Sequence, residues 1–307
     1  MPKKLNRSTT RRGSHGALFL RKSFWLLAVA GMGVSPSLHA QELPTTAQAT
    51  TPAAQAPAAK NTTVSLGTSH FTRKYDRPGG QHKYEGWATT LGLSHKLDEA
   101  WRVGGSLTAV QTSSSAELNS NKKDLHSWTP RVFATWTNRK GLFVTGDATH
   151  GNATLDNTRL SNNRSVFYQS NTKTATTSLE VAQYFPITQN LWSGIAARFT
   201  RTYFREREYI DPVGGNSPSR TENWGTGTVR AVASYLLGDF TPFVAADFNQ
   251  ANKEIIAGSG DRNFYGYNLG VTYTVTSEAA LVLGYGGTTG ISNLTDRRYT
   301  ASVSYRF

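Results

Sequence analysis

The feature that most limits what this chain can fold into is a strict period of two. In residues 297–307, Tyr299, Ala301, Val303, Tyr305 and Phe307 alternate with Arg298, Thr300, Ser302, Ser304 and Arg306. Residues 263–276 repeat the pattern, with Tyr265, Tyr267, Leu269, Val271, Tyr273 and Val275 on one face and Gly266, Asn268, Gly270, Thr272 and Thr274 on the other. A helix, turning once every ~3.6 residues, cannot keep such a run on one side, whereas a strand sends successive side chains to opposite faces.

The same template predicts twelve strands, at 62–74, 83–97, 100–112, 125–137, 140–153, 173–185, 190–205, 223–237, 239–252, 263–276, 278–288 and 297–307. The first is the least regular. The connections fall into two classes. Even-numbered strands run into short turns: LDEA, NRKG, PITQN, LGD and SEA. The others lead into longer segments: DRPGGQ, SSSAELNSNKKD, LDNTRLSNNRSVFYQSN, REREYIDPVGGNSPSRTEN, NKEIIAGSGD and GTTGISNLT. Short turns on one side and long loops on the other are the mark of a transmembrane antiparallel up-and-down β-barrel with short periplasmic turns. An even strand count also returns the C-terminus to the periplasmic side.

Composition decides between this and the alternatives. Mean hydropathy is negative, and beyond the N-terminal region no apolar run approaches the length of a membrane helix. A barrel is compatible with both facts, because its strands expose only alternate residues to lipid. Cysteine is absent, which removes disulfide frameworks, thiolate metal sites and thiol nucleophiles. The net charge is +13, but residues 1–40 hold seven bases and no acids; the remaining 26 bases and 20 acids leave +6. With no basic helix or base-stacking motif, nucleic acid is not an expected partner.

The N-terminal excess belongs to a targeting segment. Basic residues up to Lys22, the apolar run SFWLLAVAGMGV and the small residue Ala40 before Gln41 read as a secretory signal over 1–40. Residues 41–61 form an Ala-, Pro- and Thr-rich linker in the periplasm, and the barrel occupies 62–307. The expected location is the cell outer membrane.

Tryptophans support the two rims. Trp101, Trp136 and Trp192 lie beside short turns, and Trp87, Trp128 and Trp224 near long loops, as interfacial girdles require. Parity turns Trp192 and Trp224 inward, so either their strands carry bulges or these rings belong to the lumen. The same parity lines the lumen with Lys96, Arg102, Arg131, Arg198, Arg230, Arg298 and Arg306, against Asp147, Glu180 and Asp247. Such a lining either pairs across the interior and seals it, or leaves a positive potential that favours anions. Phe143, Tyr184 and Phe243, also inward, narrow the space.

The closing segment YTASVSYRF resembles the C-terminal assembly signal of outer-membrane barrels, which implies that the barrel-assembly machinery reads Tyr299, Val303, Tyr305 and Phe307. Residues 84–112 (YEGWATTLGLSHKLDEAWRVGGSLTAVQT) resemble the repeating hairpin of the autotransporter translocator barrel, a Gly-containing strand, a short polar turn and an aromatic-Gly return. NLWSGIAARF and EAALVLGYG echo it. The resemblance extends over 62–307 and implies a twelve-strand translocator. With only residues 41–60 between signal and barrel, the expectation is a translocator-type barrel with little or no passenger.

The alternative is a small-solute, anion-leaning diffusion pore. A barrel hydrolase ranks lower: His70, His82, His126 and His150 fall toward the loop ends, but none has a Ser or Asp at a spacing that builds a catalytic relay. No enzyme activity, cofactor or metal site is expected. Arg201, Arg205, Arg207 and Lys253 lie toward the outer rim, where lipopolysaccharide phosphates join outer-membrane lipid as candidate partners.

Overall fold

The computed structural model describes residues 61–307 apart from 78–79, 117–121, 139, 162–163, 213–214 and 255–259. The signal (1–40) and the linker up to residue 60 lie outside the described residues. Fourteen strands occur in chain order: β1 (Thr62–Arg77), β2 (Gly80–Lys96), β3 (Trp101–Ala116), β4 (Lys122–Thr137), β5 (Leu142–Ser161), β6 (Arg164–Pro186), β7 (Leu191–Glu206), β8 (Tyr209–Asp211), β9 (Gly215–Ser217), β10 (Arg220–Tyr235), β11 (Phe240–Ala251), β12 (Asn263–Thr274), β13 (Ala279–Thr289) and β14 (Leu294–Arg306). Twelve of them close an antiparallel barrel in which each strand pairs with the next, and β7 pairs directly with β10. The short β8–β9 hairpin stands apart from the wall.

All five turns on one rim, at 97–100, 138–141, 187–190, 236–239 and 275–278, span four residues. Their chemistry is shared. Asp98 Oδ1 accepts from the amides of Ala100 and Trp101, both at 2.7 Å, and Thr188 Oγ1 accepts from Asn190 and Leu191. Asn138 and Thr276 do the same in their turns. A short polar side chain thus satisfies amides that the ladder cannot reach. The fifth turn instead places Gly238 at φ 59°, a left-handed conformation that glycine adopts without strain.

The seam between β1 and β14 runs in unbroken register from Thr63↔Arg306 to Tyr75↔Leu294. At its base the Thr62 amide donates to Phe307 O at 3.1 Å, and the Phe307 amide to Thr62 O at 2.9 Å. The irregular first strand is therefore a full member of the wall. Pairing of β7 with β10 is equally continuous, from Arg220↔Glu206 to Tyr235↔Leu191. No bulge reorients Trp192 or Trp224; both face inward, and Trp192 is buried.

One sequence expectation is corrected. The segment LDNTRLSNNRSVFYQSN is not a loop, because β5 and β6 continue through it in register as far as Ser161↔Arg164. Backbone pairing does not need an apolar face, and once strands rise beyond the apolar band both faces are wet and the alternation fades. The REREYIDPVGGNSPSRTEN connection likewise carries β8 and β9.

Candidate functional site: the charged lining of the barrel

Side chains that point inward form layers along the axis. Nearest the turn rim lie aromatic rings set against glycines. Phe133 of β4 packs on Gly104 of β3, Tyr184 of β6 on Gly194 of β7, and Phe243 of β11 on Gly270 of β12, and at each glycine a Cβ would collide with the ring. Phe143 meets Tyr184 edge-on, with centroids 5.6 Å apart. The expected inward aromatics therefore lie along the wall, each docked on a neighbour.

Above them runs a belt of charge set by strand register. Asp147 of β5 lies opposite Ser178 of β6, which hydrogen-bonds to it. The same carboxylate accepts from Arg131 Nε of β4 at 3.2 Å and from Arg198 Nη2 of β7 at 3.0 Å. It is 3% exposed, against 13% and 25% for the two guanidinium side chains. Arg198 also donates to Ser178 Oγ at 2.7 Å and approaches Glu180, its opposite across β6–β7, at 4.0 Å. Arg230 and Asp247, opposite each other on β10 and β11, form a fork with contacts of 2.6 and 3.2 Å. Six adjacent strands thus carry one chain of charge-assisted hydrogen bonds, in which every carboxylate serves at least one arginine.

The other expected lining charges are placed differently. Lys96 lies opposite Arg102 at the turn rim, and Arg306 opposite Thr63. These three do not join the belt. Arg298, opposite Phe71, belongs to a second cluster at the seam. There Arg73 reaches Asp296 Oδ1 through both Nε and Nη2 at 3.1 Å, and these side chains are 9% and 2% exposed. Sequence reading missed this pair because it began the last strand at 297 and found poor alternation in β1. The signal was present, since Asp296 continues the parity of Arg298.

The histidines do not converge. His70 is on the outer wall, bonded to Glu85 at 3.2 Å and stacked at 4.7 Å on Trp87. His126 and His150 also point outward, on β4 and β5, while His82 sits at the loop end of β2. Among the described residues no three His, Cys, Asp or Glu side chains are grouped to hold a metal ion.

The outer wall complements this interior. Leu66, Leu91, Leu107, Val132, Leu179, Phe199, Val244, Leu269 and Val303 are all roughly half exposed, an apolar band with Trp87, Trp101 and Trp128 at its edges. Water cannot cover so continuous a band at low cost, and lipid can.

Comparison with known proteins agrees with this architecture. The chain resembles the translocator domain of the autotransporter NalP from Neisseria meningitidis, with a TM-score of 0.69 at 14% identity over 81% of this chain and 90% of that one. It also resembles the β-domain of the Bordetella autotransporter BrkA, with a TM-score of 0.66 at 14% identity over 80% and 100%. The transport unit of AIDA-I from Escherichia coli gives 0.67 at 11% identity over 93% and 98%. At such identities these likenesses show the fold. No curated protein sequence matches the chain. The sequence profile of the autotransporter β-domain does match, over residues 64–286, and with it the chain is shown to belong to the autotransporter β-domain family, whose barrels reside in the outer membrane of Gram-negative bacteria.

Proposed function

We propose that this barrel passes polypeptide joined to its N-terminal end from the periplasm to the cell surface through the lumen. The observation that carries this reading is the seam. β1 starts beside the last residue, with Thr62 and Phe307 exchanging backbone hydrogen bonds, on the rim of uniform four-residue turns. That rim faces the periplasm if the turn rule of outer-membrane barrels holds here. A segment attached to Asn61 is then delivered to the periplasmic mouth, and its route outward is the lumen. The lining suits an extended chain. Its guanidinium groups are held along the wall by Asp147 and Asp247, leaving a polar, basic-leaning surface.

In this reading the secretory pathway delivers the chain by its 1–40 signal. The barrel-assembly machinery engages the stripe of Tyr299, Val303, Tyr305 and Phe307, lipid surrounds the apolar band, and the barrel catalyses no reaction. The test places an epitope within residues 41–60 of the full chain and measures its protease sensitivity on intact cells. The expected outcome is surface exposure that is lost, along with assembled barrel, when Phe307 is deleted. An epitope that stays protected while the barrel is folded in the membrane overturns translocation. The pore reading then stands alone, and planar-bilayer conductance with anion preference is its own measurement.

A further inference from the structure

The outer wall is not uniform around the barrel. Where β11 to β14 meet the loop rim, it carries Phe248, Tyr265, Tyr285 and Tyr299, linked by ring contacts such as Tyr285–Tyr299 at 5.0 Å. Across β2 to β6 the corresponding level is a groove of about 700 Å³, bounded by Trp87 and Trp128 and continued by His126, Asn171, Lys173 and Arg207. Register assembles it from two successive outward rows. Trp128, Asn152 and Lys173 lie opposite one another in the first. His126, Thr154 and Asn171 do so in the second, which ends where the Arg207 amide donates to Asn171 O.

Three observations define what fits there. Lys173 and Arg207 make no ion pair among the described residues, although both are exposed on this wall. The carboxylates of the next row outward are occupied, Asp124 by Lys122 at 3.1 Å and Asp156 by Gln169 at 2.9 Å. Directly beneath the groove the wall turns apolar, with Leu107, Val132 and Leu179 about half exposed. A polar, cationic hollow flanked by two tryptophans and continuous with an apolar wall matches an amphiphile carrying an anion at its head.

We propose that this groove binds the phosphorylated head group of an outer-leaflet glycolipid. Lys173 and Arg207 hold the phosphate by charge-assisted hydrogen bonds, Trp87 and Trp128 flank the sugar, and the acyl chains lie on the apolar wall below. The site rests on the outer-membrane orientation given above but not on translocation.

The test reconstitutes the full-length mature protein in phosphatidylcholine nanodiscs with either bisphosphorylated lipid A or the same lipid without phosphate, and reads retained lipid by native mass spectrometry. The expected result is about tenfold or more preference for the phosphorylated lipid, abolished in Lys173→Glu/Arg207→Glu and kept in Arg297→Glu on the opposite side of Trp87. Heat-modifiable mobility reports folding in every sample; if the double charge reversal does not fold, Lys173→Gln/Arg207→Gln replaces it. Equal retention of the two lipids, or unchanged preference in the folded double variant, overturns the site. Displacement by millimolar inorganic phosphate alone assigns it to a soluble anion and overturns the lipid. Loops reported on the wrong side by protease, with binding intact, count against the orientation instead.

Discussion

Two sectors of the same barrel are built on different terms. β11 to β14 are 11–13 residues long, close to the ~9–11 residues a tilted strand needs to cross hydrocarbon. Their outer faces are aromatic, and the inward faces of β12 and β13 carry glycine at 266, 270, 284 and 286. β5 and β6 run to 20 and 23 residues, so nearly half of each stands beyond the apolar band. The sector around them, β4 to β7 with β10, carries most of the charge belt. Where the wall is only membrane, shape holds it together. Where it extends further, polar contacts take over.

The largest expected effect strikes the charged sector. Asp147→Asn keeps the shape of the side chain but leaves Arg131 and Arg198 without their shared carboxylate in a partly buried setting. Breaking a buried pair from one side costs about 3–5 kcal/mol, and the exposure of Arg198 places the expected loss at the lower end. Urea unfolding of the refolded protein in vesicles measures it. A loss no greater than that of an exposed ion pair, below about 1 kcal/mol, would show that lumen water already screens the belt.

The second effect strikes the glycine sector. A side chain at Gly270 meets the backbone of Leu283 and the ring of Phe243, so Gly270→Val should destabilise by about 1–3 kcal/mol through overpacking. Its control lies in the other sector. Gly146 has nothing within 4 Å of an added Cβ, and Gly146→Ala should be neutral or gain about 0.5 kcal/mol by lowering the entropy of the unfolded chain. Equal effects at the two sites would remove the distinction drawn here, and the same unfolding assay detects it.

The contrast also explains what could be read before any coordinates. Residues 263–276 and 297–307 were legible because each face meets a different medium, lipid outside and lumen inside. Twelve strands, their turns and the inward parity of Arg230 and Asp247 follow from that rule. The extension of β5 and β6 was not legible, since Asn157 and Ser170 face inward among residues as polar as Asp156 and Gln169 facing outward. Pairing was also out of reach: parity puts Asp147 inside, but only register tells that it meets Ser178 and two arginines. The outer groove is the extreme case. His126, Asn171, Lys173 and Arg207 are ordinary surface residues in sequence, and only the ladder aligns them.

The smallest expected effect follows from the reason the extension escaped notice. If β5 and β6 beyond the apolar band are held by backbone pairing alone, the barrel should not need their tip. Thr158 lies opposite Phe167, and Arg159 opposite Val166, so replacing residues 159–166 by Asn-Gly rejoins the strands through a two-residue turn of the favoured hairpin type. The register below the cut is unchanged, and so are the charge belt and the wall facing lipid. Shortening a connection alters closure entropy only by a fraction of a kcal/mol per halving, so the unfolding midpoint should shift by less than about 1 kcal/mol of stability. The stacked pair Tyr168–Tyr209 stays on the retained side of the cut, which keeps the β8 hairpin docked. A large loss of stability in this variant would mean that the long sector is cooperative along its whole length, and the division of the barrel into a shape-held and a contact-held part would have to be redrawn at the loops.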